Sequence, residues 1–136
     1  MAAWAPQAGA TLHMPSGPMV GSGKHLFVVL NDPKPFENYG PALCIAIVNV
    51  SSIPSVEYFK YDATCVLTGG CHPAVPHDSY VYYKGTRLEQ LRDVELRVQQ
   101  GLYIPSEPVS LVLLQKIRSG LISSPFTKRE LKKIGI

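Results

Sequence analysis

Charge is scarce in this sequence: Asp, Glu, Lys and Arg make up 17% of its 136 residues, against about a quarter in ordinary soluble proteins. There is one tryptophan, and the three cysteines are an odd number, which argues against a disulfide framework and fits a reducing, cytoplasmic compartment. No basic residue precedes Lys24 and no continuous apolar stretch opens the chain, so the N-terminus does not read as a secretory signal. The longest apolar run, 43–50, is far short of the roughly 20 residues a membrane-spanning helix needs. No internal repeat is visible. A complete phosphate loop is missing as well: Gly21-Ser22-Gly23-Lys24 lacks the full G-x-x-x-x-G-K-[ST] pattern and precedes a strand rather than a helix, which argues against nucleotide hydrolysis.

What is present is apolar material for a core, 46% of a chain about one domain long. The net charge of +3 is small, but it is unevenly placed. Residues 1–115 hold seven basic and nine acidic groups (net −2), and residues 116–136 hold six basic and one acidic (net +5). The composition therefore divides the chain into a flexible arm over 1–22, a small β-barrel with a helix at its end over 23–104, and a basic helical extension over 105–136. In the arm, Ala, Gly, Pro and Ser are mixed with apolar residues without a period. Trp4 is its one candidate anchor.

His-Leu-Phe-Val-Val-Leu at 25–30, closed by the turn-rich Asn31-Asp32-Pro33-Lys34-Pro35, has the pattern of a buried strand. A second such run at 43–50 ends at Ser51-Ser52. Further strands are expected at 57–61, 65–67 and 79–83, giving a mainly β fold with C-terminal helices: a small barrel or a strongly bent sheet. Leu91, Val94 and Val98 lie at helical spacing ahead of Gly101, a C-cap candidate. A second helix is expected after Ser106-Glu107-Pro108, with Val109, Leu113 and Ile117 on one face and Gly120 beyond its end. Thr127 and Glu130 form a capping box for a third that stops at Gly135.

Chemistry-bearing residues cluster in two places. Cys65, Cys71, His72 and His77 fall within thirteen residues and could ligate tetrahedral zinc, although their spacing departs from the usual C-x(2–4)-C, and adjacent Cys71 and His72 would both have to turn toward one ion. The alternative is a buried cysteine and histidines that hold a loop by hydrogen bonds. The second cluster depends on pairing. If the strands at 25–30 and 43–50 run antiparallel, Lys24 and His25 at the start of one lie beside Ser51 and Ser52 at the end of the other. A cation, an imidazole and hydroxyls suffice in principle for metal-free RNA cleavage, which needs a base for the 2′-hydroxyl, donors for the phosphate and an acid for the leaving oxygen. The plainer alternative is a solvated edge lysine, a strand-start histidine and turn serines. Lys128, Arg129, Lys132 and Lys133 would attract RNA by counterion release, or form a solvated face opposite Phe126, Leu131 and Ile134.

The order Gly23-Lys24-His25-Leu26-Phe27-Val28-Val29-Leu30, then Ile45-Ala46-Ile47-Val48-Asn49-Val50-Ser51-Ser52, then His77-Asp78-Ser79-Tyr80-Val81-Tyr82-Tyr83 resembles the plasmid-maintenance toxins of the MazF/PemK kind over about residues 21–90. In that family a Gly-x-Arg-Pro stretch opens a strand, a second apolar strand ends in Thr-Ser, and an Asp-Ser-x-Val strand follows. The resemblance implies an SH3-like barrel with added helices, usually a homodimer, that cuts single-stranded RNA without a metal or other cofactor and is neutralised by an antitoxin peptide. The family's catalytic Arg falls at Lys24, its Pro at His25 and its catalytic Thr at Ser51. Lysine supplies charge without the bidentate guanidinium fork. A divergent site would give the acid and base roles to His25, His72 and His77. The other function classes open to the sequence are a non-catalytic SH3-like protein-interaction module and a zinc-stabilised domain.

Overall fold

The computed structural model describes residues 4–15, 24–56 and 58–136, with the side chain of Lys24 outside that description. In chain order its elements are β1 (Thr11–Pro15), β2 (Lys24–Val29), β3 (Cys44–Ser52), β4 (Val66–Leu67), β5 (Ser79–Gln90), α1 (Leu91–Gln99), β6 (Ile104–Ser106), α2 (Leu111–Ser123) and α3 (Arg129–Lys133). The strands form one antiparallel sheet in the order β4-β5-β3-β2-β1-β6, curled into a half-barrel. The Gly21-Ser22-Gly23 stretch and Glu57 lie outside the described residues.

β2 and β3 read as continuous apolar runs because both their faces are covered. On one face Leu26, Val28, Ala46, Val48, Val50, Val81 and Tyr83 pack with Leu114, Ile117 and Leu121 of α2. On the other, Leu12, Met14, Phe27, Val29, Ile45 and Ile47 pack with Val94 of α1 and Tyr103. Trp4 is half-buried against this second cluster. A register shift between Ile47 and Asn49 lets β3 pair with both halves of the twelve-residue β5, the irregularity that bends a long strand around a core.

Several expectations are corrected. The supposed arm contains β1, whose Leu12 and Met14 are fully buried and which pairs with both β2 and β6. The boundary expected at 104/105 falls inside β6, where Pro105 sits opposite Leu12. Proline is tolerated there because β6 is an edge strand. Residues 58–61 form no strand, and the strand expected at 79–83 continues to Gln90. Gly120 does not end the second helix. It lies within α2, where a Cβ would overlap the Tyr83 hydroxyl oxygen, so its lack of a side chain is what lets α2 close onto the sheet. The capping box is not formed: α3 starts from Lys128 with no side-chain cap, and the Thr127 hydroxyl is buried without a partner among the described residues. Ser110 is a true cap, its Oγ accepting from the Leu113 amide at 3.1 Å.

Candidate active site

The register of the central strands decides which polar residues meet. Leu26 pairs with Val50 and Phe27 with Asn49, so one step beyond the ladder His25 lies beside Ser51, on the sheet face of Phe27 and Asn49. Across β1, His25 faces Met14, and His13 faces Leu26, so the two side chains leave opposite faces of the sheet. A cavity of about 320 Å³ at this end of the sheet is bordered by both, together with Leu26, Val50, Ser51, Ser52, Ala74 and Ser79. Both imidazoles are half-buried. The Ser51 Oγ accepts from Asn49 Nδ2 at 3.1 Å, which leaves its own proton for an oxygen in the cavity. Ser79 is committed elsewhere, donating to the His77 carbonyl at 2.8 Å.

His13 had no place in the sequence expectation, because it lay in the supposed arm. Its signal is the alternation Leu12-His13-Met14, with two apolar residues flanking a polar one, and it is too short to stand out from an Ala- and Gly-rich context. Lys24 opens β2, opposite Pro15.

His72 does not join this site. Its Nδ1 accepts from the Ala74 amide at 3.0 Å, which makes Nε2 the protonated nitrogen, donating to the Glu107 carbonyl at 2.6 Å. A ring held as a neutral tautomer by backbone on both sides is a clamp between the 71–75 loop and the segment leading into α2, unable to give or take a proton without breaking that clamp. His77 is exposed and lines a neighbouring cavity of about 870 Å³ with Ser52, Tyr61 and Asp78. The two cavities share Ser52.

Side-chain placement does not gather the four zinc candidates. Cys65 is buried in the core, where burial pushes its thiol up, while Cys71 is exposed and both His72 nitrogens are occupied. Among the described residues no three His, Cys, Asp or Glu side chains are grouped to hold an ion.

The basic residues of α3 lie far from the histidines. Lys128 lines a cavity of about 310 Å³ with Thr86, Arg87 and Gln90, and Lys133 one of about 510 Å³ with Glu37 and Tyr39. Arg129 is exposed and Lys132 half-buried. This is the Cys44↔Gln90 end of β3 and β5, whereas Ser51 and Ser52 mark the other end. At about 3.3 Å per residue the two ends are roughly 25 Å apart. The expected RNA-binding set and the expected catalytic set therefore do not form one surface patch.

No protein-family model matches the chain, and neither a curated protein nor a solved structure does. Among the described residues no helix is long and apolar enough to cross a membrane.

Proposed function

We propose that this chain is a metal-independent endoribonuclease toxin of the MazF/PemK kind, built on an SH3-like barrel and cleaving single-stranded RNA in the cytoplasm. The observation that supports it is the placing of His25 beside Ser51 on one sheet face, at a cavity that both line. The His25 imidazole takes the proton of the 2′-hydroxyl, whose oxygen attacks the adjacent phosphorus. Water protonates the departing 5′-oxygen as the P–O5′ bond breaks, leaving a 2′,3′-cyclic phosphate and a 5′-hydroxyl. The Ser51 hydroxyl donates to a non-bridging oxygen as charge develops, and Lys24 is the cation that the family resemblance assigns to this end of β2. His72 is left out of the reaction and His77 stands one cavity away, so His25 is the one expected histidine that the proposal keeps in the reaction.

The test is cleavage of a single-stranded oligoribonucleotide in the presence of a chelator, with the cyclic phosphate end identified. His25→Ala and Ser51→Ala should each slow the reaction by roughly 10²- to 10³-fold. Folded protein that leaves the RNA intact, or two variants that cut at the parental rate, would defeat the reading. A homodimer and an antitoxin peptide belong to the same proposal. A second reading, a non-catalytic interaction module, is favoured by the outer face of α2, where Leu111, Val112 and Ile122 stand exposed as apolar contacts for a protein partner. It predicts no cleavage and a stable complex lost in Val112→Asp.

A further inference from the structure

The row of the sheet that carries His25 and Ser51 continues into an aromatic surface. Ser51 pairs with Tyr80 and Asn49 with Tyr82, so both tyrosines project from the same face as His25. The segment before β4 folds back over them. Tyr61 lies 5.1 Å from Tyr80 between ring centroids, Phe59 lies 6.3 Å from Tyr80, and Phe59 stacks on Tyr61 at 6.1 Å with an interplanar angle of 21°. Clustered rings ordinarily bury most of their surface, yet Phe59 and Tyr61 each remain 37% exposed, Tyr82 38% and Phe126 53%. Tyr61, Tyr80, Tyr82 and Phe126 enclose a cavity of about 270 Å³ whose remaining lining is Lys60, Lys84 and Asp62.

The cavity carries two cations against one anion. The Asp62 carboxylate is held by internal donors: Oδ1 accepts from the Thr64 amide and hydroxyl, and Oδ2 from the Ser124 hydroxyl at 2.6 Å. Lys60 and Lys84 are exposed, and among the described residues the one ion pair is Arg87 with Glu89. Two ammonium groups with no ion-pair partner among the described residues thus flank a partly exposed aromatic box too small for a drug-sized ligand and open enough for one planar ring.

We infer that this cavity is a base-stacking subsite for single-stranded RNA, in which one nucleobase lies against the Tyr61, Tyr82 and Phe126 rings while adjacent phosphates meet Lys60 and Lys84. Aromatic platforms combined with cations along the backbone are the general means of holding a single strand without reading its sequence. The placement follows from the sheet: β2 and β5 are separated only by β3, which puts His25 about 10 Å from Tyr80. A strand stacked here therefore runs over Ser51 toward His25. The inference rests on the ribonuclease reading for the direction of that strand, and binding at the aromatic cavity is separable from it.

The experiment uses the full chain carrying His25→Ala and a fluorescein-labelled single-stranded oligouridylate, with binding read by polarisation. Adding Tyr82→Ala or Tyr61→Ala should weaken binding roughly five- to hundred-fold, the range for loss of one base–aromatic stack, while Tyr82→Phe retains it. Lys84→Ala should weaken binding and flatten its dependence on salt. A duplex of the same length should bind less tightly than the single strand. Parental affinity in both tyrosine-to-alanine variants, each shown to be folded by circular dichroism, overturns the subsite, as does equal affinity for the duplex. Cleavage is assayed separately in the His25 background and the parent. If His25→Ala still cuts RNA but Tyr82→Ala loses binding, the catalytic reading fails and the subsite stands. If His25→Ala loses cleavage while Tyr82→Ala binds as before, the subsite fails and the catalytic reading stands.

Discussion

Gly120→Ala is the substitution whose outcome the structure decides against local propensity. In an isolated helix the change stabilises by about 1 kcal/mol, since glycine is the worse helix former. Here the new Cβ would overlap the Tyr83 hydroxyl oxygen and lie 2.7 Å from its Cζ. Tyr83 is fully buried, and its hydroxyl donates to the Ile117 carbonyl at 2.7 Å, so the ring cannot withdraw without giving up that bond. Overpacking a filled core costs about 1–3 kcal/mol, and an orphaned buried hydrogen-bonding group another ~1–3 kcal/mol. Set against the helical gain, the net destabilisation is about 3 kcal/mol. For a chain of this size that lowers the melting temperature by roughly 10 °C. Urea denaturation of the parent, Gly120→Ala, Tyr83→Phe and the double variant closes a cycle. Removing the hydroxyl removes the shortest contact, so Gly120→Ala should cost at least ~1 kcal/mol less in the Tyr83→Phe background. A stabilised Gly120→Ala protein, or an equal cost in both backgrounds, would refute the packing argument.

The polar contacts and the thiols give three more expectations. Burial pushes Asp62 up, but the hydrogen bonds from Ser124 and Thr64 outweigh it and hold the carboxyl below its ordinary value. A group depressed in the folded state contributes stability above its unfolded pKa of about 3.9 and loses it as pH falls through the folded value. Ser124→Ala should therefore destabilise at neutral pH by about 1.5–3 kcal/mol and by less in acid, as read from melts across a range from neutral to strongly acidic pH; a pH-independent loss would contradict this. With Cys71 exposed, and Cys44 and Cys65 buried with their thiols pushed up by desolvation, a thiol-reactive dye should label one cysteine quickly in native protein and all three after unfolding in urea. Fast labelling of two or more native thiols would contradict their burial. His72→Ala should destabilise by about 1–3 kcal/mol through the loss of two backbone contacts, equally with and without chelator; a deficit that depends on zinc would revive the metal reading.

The sequence was legible where a single segment carried the whole signal. The apolar runs at 25–30 and 43–50 had the pattern of buried strands, and Leu91, Val94 and Val98 with Gly101 marked a helix and its end, where Gly101 takes a positive φ of 75°. The nearness of His25 to Ser51 also followed from sequence once antiparallel pairing was assumed. Tertiary contacts decided the rest. β1 is too short to declare itself and exists because β2 and the distant β6 pair with its two edges. That pairing brings His13 to the edge of the cavity, on the sheet face opposite His25. His72 looked like a catalytic candidate until a carbonyl thirty-five residues away accepted the hydrogen bond from its Nε2. Gly120 looked like a helix stop because the Tyr83 ring that needs its empty side is thirty-seven residues away in sequence. Periodicity reports how one segment meets water or core, so the linear pattern was enough to say which stretches are buried. Which side chains share a cavity depends on strand order and register, and those are set by the packing of the whole sheet rather than by any one segment.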